Sequence, residues 1–198
     1  DVTEHRVLEA TEVAHSDFVA AQIEPDPVRL PAPAASLPID AFVLDLPMIG
    51  GTSGPHFAAS AANWPGDVAL YSSATTSGFN LWHSARRRAV MGQLQTGLPE
   101  GRADIWDRSE GLTVKLISGG LSSAEEPAVL GGDNIAAIGD GSQDGWEIIQ
   151  FCSAELIAPR SYRLTRLLRG RFGTHPRVLG AQSYFVLLNS AVEALEWS

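Results

Sequence analysis

The stretch that most constrains the fold is residues 146–174, WEIIQFCSAELIAPRSYRLTRLLRGRFGT. Its opening run, Ile148-Ile149-Gln150-Phe151, is apolar and strand-forming. Ala158-Pro159-Arg160-Ser161 reads as a turn, and Tyr162-Arg163-Leu164-Thr165 alternates apolar with polar in the period of a half-buried strand. The two strands are expected to form a β-hairpin, with Pro159 arguing against the tightest two-residue turn. In Leu167-Leu168-Arg169-Gly170-Arg171-Phe172-Gly173-Thr174, Gly170 and Gly173 permit positive φ, and together with Thr174 they form the turn from which arginines project. These residues suit a rigid piece of architecture with a cationic end.

The rest of the chain has an all-β cadence of short apolar runs separated by turns. Residues 39–46 (IDAFVLDL) read as a strand stopped by Pro47, residues 52–54 as a loop, and residues 57–62 as a strand ended by the turn Trp64-Pro65-Gly66-Asp67. Residues 68–72 follow as a strand, 73–80 as a hairpin loop, and 111–117 as the cleanest strand of all. Ala128-Val129-Leu130, residues 135–138 and residues 184–188 supply three more. The expected class is mainly β, an antiparallel β-barrel or β-sandwich with a proline-rich linker near the N-terminus. In that scheme residues 1–24 are the end of a preceding β domain or an arm, and 25–38 are the linker, carrying Pro25, Pro27, Pro31 and Pro33. Residues 39–192 are the β domain, and 193–198 a tail. The chain starts at Asp1 in mid-pattern and is expected to be part of something longer.

Charge distribution narrows the partners. The formal net charge of −9 argues against general nucleic-acid binding. Residues 1–50 carry nine acidic side chains against Arg6 and Arg29. Residues 156–192 carry none, yet hold Arg160, Arg163, Arg166, Arg169, Arg171 and Arg177. Such opposed segments suit pairing within the fold or across a subunit interface. Cys152 is the single cysteine, so there is no internal disulfide and no cysteine-based metal cluster, and its strand context marks it as a small buried hydrophobe. No apolar run reaches the roughly eighteen residues a membrane helix needs.

Candidate chemistry is thin. Asp140, Ser142 and Asp144 place oxygens at alternate positions ahead of Gly145, as a calcium loop opens, but Phe151 stands where the bidentate Glu belongs, so a plain hairpin turn is the competing reading. Asp104 and Asp107 flank Trp106 and, with Glu147, are the carboxylates a glycan hydrolase would need to bring together. No nucleophile elbow, phosphate loop or closely spaced histidine pair occurs, and no cofactor is expected. Arg86-Arg87-Arg88 in an acidic chain reads as a solvated turn.

The 146–174 stretch resembles the C-terminal part of the large tail-hub proteins of gene transfer agents and related siphophage tails. There, a Trp-Glu-hydrophobic-Gln-Phe strand precedes a Tyr-x-Leu strand and an LLRG-x-x-GT turn. Leu44-Asp45-Leu46-Pro47, Asn63-Trp64-Pro65-Gly66 and Gly131-Gly132-Asp133-Asn134 resemble the LDLP, WPG and G-x-N segments of the same family, in the same order. The chain departs from the family at Arg171-Phe172 and at His175. The resemblance implies a non-enzymatic structural component of a phage-like tail tip (hub or baseplate). It would form a homotrimer that contacts other tail-tip proteins and tail fibres, in a particle assembled in the bacterial cytoplasm. Arg166, Arg169 and Arg171 are then the expected assembly contacts, with the acidic N-terminal segment as a counterpart; intradomain pairing that staples the hairpin is the other use for them. Two rival classes remain at this point. One is a carbohydrate- or receptor-binding β module using Trp64, Trp82 and Trp106 as a shared aromatic surface. The other is a cell-wall hydrolase using Asp104, Asp107 or Glu147.

Overall fold

Strand patterning in this chain comes in two kinds, and the two kinds set its layers. In Leu112–Leu116, buried Leu112, Val114 and Leu116 alternate with Thr113 and exposed Lys115, as in a strand with one face on a core. In Ile135–Gly139 every residue is buried, and so is each residue from 146 to 152. A strand apolar on both faces must be covered on both sides.

The computed structural model describes residues 38–49, 52–142 and 145–196. In chain order the elements are β1 (Asp40–Ile49), β2 (Thr52–Ser60), β3 (Val68–Ser72), β4 (Asn80–Ala85), β5 (Met91–Leu94), β6 (Trp106–Asp107) and β7 (Leu112–Leu116). Then come α1 (Glu126–Leu130), β8 (Ile135–Gly139), β9 (Trp146–Ala158), β10 (Ser161–Leu168), a 3-10 turn (Arg171–Gly173), β11 (Tyr184–Leu187) and β12 (Glu193–Ala194). Strands β10, β7, β5, β11, β8 and β9 pair in that order, all antiparallel, and β9 pairs back onto β10 to close a six-stranded barrel. Closure leaves these strands without a free sheet edge along their paired lengths. Beyond β7, the end of β10 pairs with β6 instead.

The barrel interior holds Leu94, Leu112, Val114, Leu116, Ala136, Ile138, Ile149, Phe151, Leu164, Leu167 and Phe185. A second cluster lies on the outside of the same strands, where Met91, Ile135, Ala137, Trp146, Ile148 and Val186 pack against Leu44, Leu46 and Ala58 of the β1–β2 layer. That layer is why β8 and the first half of β9 are buried throughout. A third, smaller cluster joins Phe57, Ala59 and Leu195 to Val68 and Ala85 of the β3–β4 hairpin.

One step in the barrel breaks strict alternation. Leu164 and Leu167 both face the interior although three residues apart, and so do Phe151 and Ala154 on the partner strand. The odd step falls at Arg166, whose φ is 56°, between the pairs Thr165↔Ser153 and Leu167↔Phe151. A left-handed residue inside a strand rotates the chain by the half-turn that a period of two would otherwise forbid.

Several expectations need correction. The β9–β10 turn is the tight two-residue one, because Ala158 pairs with Ser161 and Arg160 takes the left-handed conformation (φ 59°) that such a turn needs after Pro159. Residues 128–130 are helical, since Pro127 in the first turn of α1 pre-sets a helical φ that a three-residue apolar run cannot override. Pro47 does not stop β1: Leu46 pairs with Gly54 and Ile49 with Thr52, so Pro47 sits in an irregular step of an edge strand and forfeits no ladder bond. By the same pairing, residues 52–54 are strand rather than loop. Within the expected tail, Glu193 and Ala194 form a short strand, β12, whose partners are Phe57 and His56 of distant β2. The expected N-terminal arm, and the linker up to residue 37, lie outside the described residues.

Because Phe151 fills the closed interior, Phe151→Ala should cost about 3–5 kcal/mol. Phe79→Ala, at an exposed hairpin position (60 % exposed), should stay within about 0.5 kcal/mol of wild type. Urea denaturation followed by tryptophan fluorescence measures both.

Candidate functional site

β10 ends at Leu168, and the next residue makes a parallel bridge to Ala103, which turns the Arg169 side chain inward. Arg169 and Glu147 are both 0 % exposed. Nε of Arg169 donates to Oε1 of Glu147 at 2.6 Å and Nη2 to Oε2 at 2.8 Å, a bidentate pair. Glu147 also accepts the backbone N–H groups of Gly170 (3.1 Å) and Arg177 (2.8 Å). Arg169 gives further bonds from Nη1 to the carbonyl of Pro99 (3.0 Å) and from Nη2 to that of Arg177 (2.8 Å). Both carboxylate oxygens therefore carry two donors each. A buried ion pair is tolerable only when its remaining hydrogen-bonding capacity is filled in this way.

The turn around this pair is equally specified. Gly170 has φ +60°, and a Cβ there would lie 2.8 Å from Cδ of Pro176 and 2.9 Å from the carbonyl oxygen of Thr174. A Cβ on Gly101 would lie 2.7 Å from Nη1 of Arg169. Beside the pair, Nε of Arg171 donates to Oε1 of Gln150 at 2.8 Å. Oγ1 of Thr174 accepts from the backbone of Ile148 (3.0 Å) and donates to the carbonyl of Arg171 (2.8 Å). Asn134 completes the frame, its Nδ2 donating to the carbonyls of Ser122 (2.9 Å) and Phe151 (3.1 Å). The motif residues of β9 and of the LLRG turn are thus two halves of one hydrogen-bonded staple.

The predicted contact arginines divide accordingly. Arg169 is corrected: a fully buried side chain saturated by Glu147 has nothing to offer a partner. Arg166 donates through Nη2 to Oε1 of Glu126, and Nη2 of Arg108 lies 3.6 Å from the same oxygen. Arg171 donates through Nη1 to Oδ1 of Asp104. Gly170 and Thr174 build the turn, while Gly173 (φ +80°) has open space around its Cβ position. Cys152 is buried in β9, and burial pushes its thiol pKa up.

The remaining candidates do not converge. Glu147 is locked in the staple, Oδ1 of Asp107 accepts the N–H of Ser109 (2.9 Å), and Asp104 meets Arg171. Trp64 and Trp82 are half-buried against the third cluster and donate to the carbonyls of Gly66 (3.0 Å) and Glu196 (2.9 Å). Trp106 stands apart in β6, opposite Leu168. The three rings form no common exposed face. Oδ1 of Asp140 accepts both the N–H (2.9 Å) and the hydroxyl (2.6 Å) of Ser142, so the loop satisfies its own oxygen, and Asp144 lies outside the described residues. Among the described residues no cluster of three or more His, Cys, Asp or Glu gathers, and no helix is long and apolar enough to cross a membrane.

Sequence reasoning placed Glu147 only among catalytic carboxylates and missed its pairing with Arg169. The signal was present: an acid inside the apolar run of β9 and a base inside Leu-Leu-Arg-Gly are each too costly to bury alone.

The site defines a class, an antiparallel six-stranded barrel stapled from inside by an arginine–glutamate pair. Residues 89–186 of this chain match the family described as Rcc01698-like, C-terminal, named after a gene-transfer-agent-related protein of Rhodobacter capsulatus. The matched segment runs from just before β5 into β11 and contains the staple. No curated protein matches the chain.

Two outcomes follow from this geometry. Glu147→Leu should destabilise the domain by about 3–5 kcal/mol by leaving a buried guanidinium uncompensated, and the double variant Glu147→Leu with Arg169→Met should lose less than the sum of its two single variants. A double-mutant cycle in urea reads this coupling. At Asp140, the hydroxyl and then the backbone N–H of Ser142 hold the carboxyl pKa below its ordinary value. The favoured form is the carboxylate, so the turn's contribution is present above the ordinary value and lost as pH falls through the lowered one. In Ser142→Ala the Asp140 midpoint, followed by carboxyl carbon NMR, should rise toward the ordinary value.

Proposed function

We propose that this domain is a structural, non-enzymatic component of a phage-like tail tip, assembling with other tail-tip proteins and fibres. The observation that carries the reading is how the motif residues are used. Glu147, Gln150, Arg169 and Thr174 bond to one another or to the frame and build a rigid turn, inside the segment that matches the gene-transfer-agent-related family. Chemistry at a cleft needs groups left available for substrate. Here each candidate carboxylate is already committed to a different partner, and the tryptophans are divided between two parts of the fold. A rigid barrel closed on itself is suited to be a building block in a ring. In this reading the chain acts as a homotrimer in the assembled particle and is found at the tail tip.

In particles purified from a strain carrying an epitope-tagged chain, the tag should cosediment with tails and label the distal end of the tube in negative-stain micrographs. Deletion should give particles lacking that end structure. Label confined to capsids or to the particle-free fraction would overturn the assignment.

A further inference from the structure

We propose that the cleft between the end of α1 and the 3-10 turn docks an extended segment of a partner protein that carries a carboxylate next to an apolar side chain. The cleft has a volume of about 350 Å³ and is walled by Leu130, Ile135, Gln150, Arg171 and Phe172, with Gly131 and Gly132 along its rim. Its apolar walls are presented rather than buried: Leu130 is 59 % exposed and Phe172 is 38 % exposed. Phe172 also has φ 53°, a left-handed conformation that is unfavourable for a bulky residue. The turn holds it there because Gly170 and Thr174 fix the chain on either side, and the Arg171 guanidinium lies over the ring, 5.7 Å from its centroid. A strained, outward-facing aromatic on a rigid frame is the arrangement of a binding anchor.

Arg171 supplies the polar half. Its Nε is bonded to Gln150, a side chain 1 % exposed whose Nε2 donates in turn to the carbonyls of Asp133 (3.1 Å) and Val129, so the guanidinium plane is oriented from below. Nη1 reaches Asp104, whose side chain is 61 % exposed, and Nη2 makes no hydrogen bond among the described residues. Asp104 shows that this guanidinium takes a carboxylate from the solvent side. The Nη2 edge leaves room for another. A fixed guanidinium edge beside two exposed apolar side chains is complementary to a carboxylate carried beside an apolar group. The site stands whether or not the domain sits at a tail tip.

The test titrates the full chain, isotope-labelled, with two acetylated and amidated peptides, Leu-Ala-Glu-Leu and Leu-Ala-Gln-Leu. The glutamate peptide should shift the Arg171 Nε–H and the amides of Gly131, Gly132 and Phe172 saturably, and the glutamine peptide should bind about tenfold more weakly. Phe172→Ser should weaken the glutamate peptide about fivefold, and Arg171→Gln should abolish the difference between the two peptides. Leu130→Ser, at an exposed helix end, gives the same readout as Phe172→Ser if the turn variants lose their fold by circular dichroism. Equal binding of the two peptides, or no shift at these residues, overturns the proposal. Shifts at the same residues on concentrating the protein without peptide would also overturn it, by showing that a second copy covers the cleft.

Discussion

The buried pair between Glu147 and Arg169 is the interaction on which the local architecture depends. Removing an ionised carboxylate and a guanidinium from water costs several kcal/mol per group, and direct attraction recovers that only with favourable geometry and every remaining donor and acceptor satisfied. Here the satisfaction comes from four backbone groups at three places in the chain: the carbonyl of Pro99, the N–H of Gly170, and the N–H and carbonyl of Arg177, besides the pair itself. None of these segments can drift without stranding a buried charge. Residues distant in sequence are thereby held in one arrangement at the end of the barrel. The pair acts as a specifier of geometry more than as a source of net stability.

The barrel supplies what the pair cannot. Its interior is a closed apolar layer, and its β8–β9–β11 wall is covered a second time by β1 and β2. Double coverage explains why burial runs without alternation over Ile135–Gly139 and the start of β9. It also explains why a charged residue in that run has to be paired. The strand with one solvated face, β7, keeps its alternation, so one physical rule accounts for both patterns.

The staple also changes what the cationic stretch means. Six arginines without an acid between residues 156 and 192 read as a surface awaiting a partner. In the fold they are graded by burial. Arg169 is interior, Arg166 is tied to Glu126, and Arg171 is half-enclosed with its plane fixed by Gln150 and one edge open. Charge along a sequence gives no depth, and depth decides whether an arginine is a strut or a contact.

By itself the sequence determined the class and the main hairpin. Period-two alternation and short apolar runs between glycine, proline and asparagine turns leave an antiparallel β fold as the consistent answer, and the 146–174 stretch is its central ribbon. Local signals also located the LLRG turn, because only glycine tolerates the crowded left-handed position at 170. What the tertiary structure alone decided were the pairings between distant residues. These are β12 on β2, the pairing of β10 with β7 and β6 on its side away from β9, and above all the partner of Glu147. Each depends on contacts across tens of residues, where a local pattern carries no record of which strand will lie alongside. Glu147 and Arg169 were each legible as costly to bury, but only the folded chain could show that they bury one another.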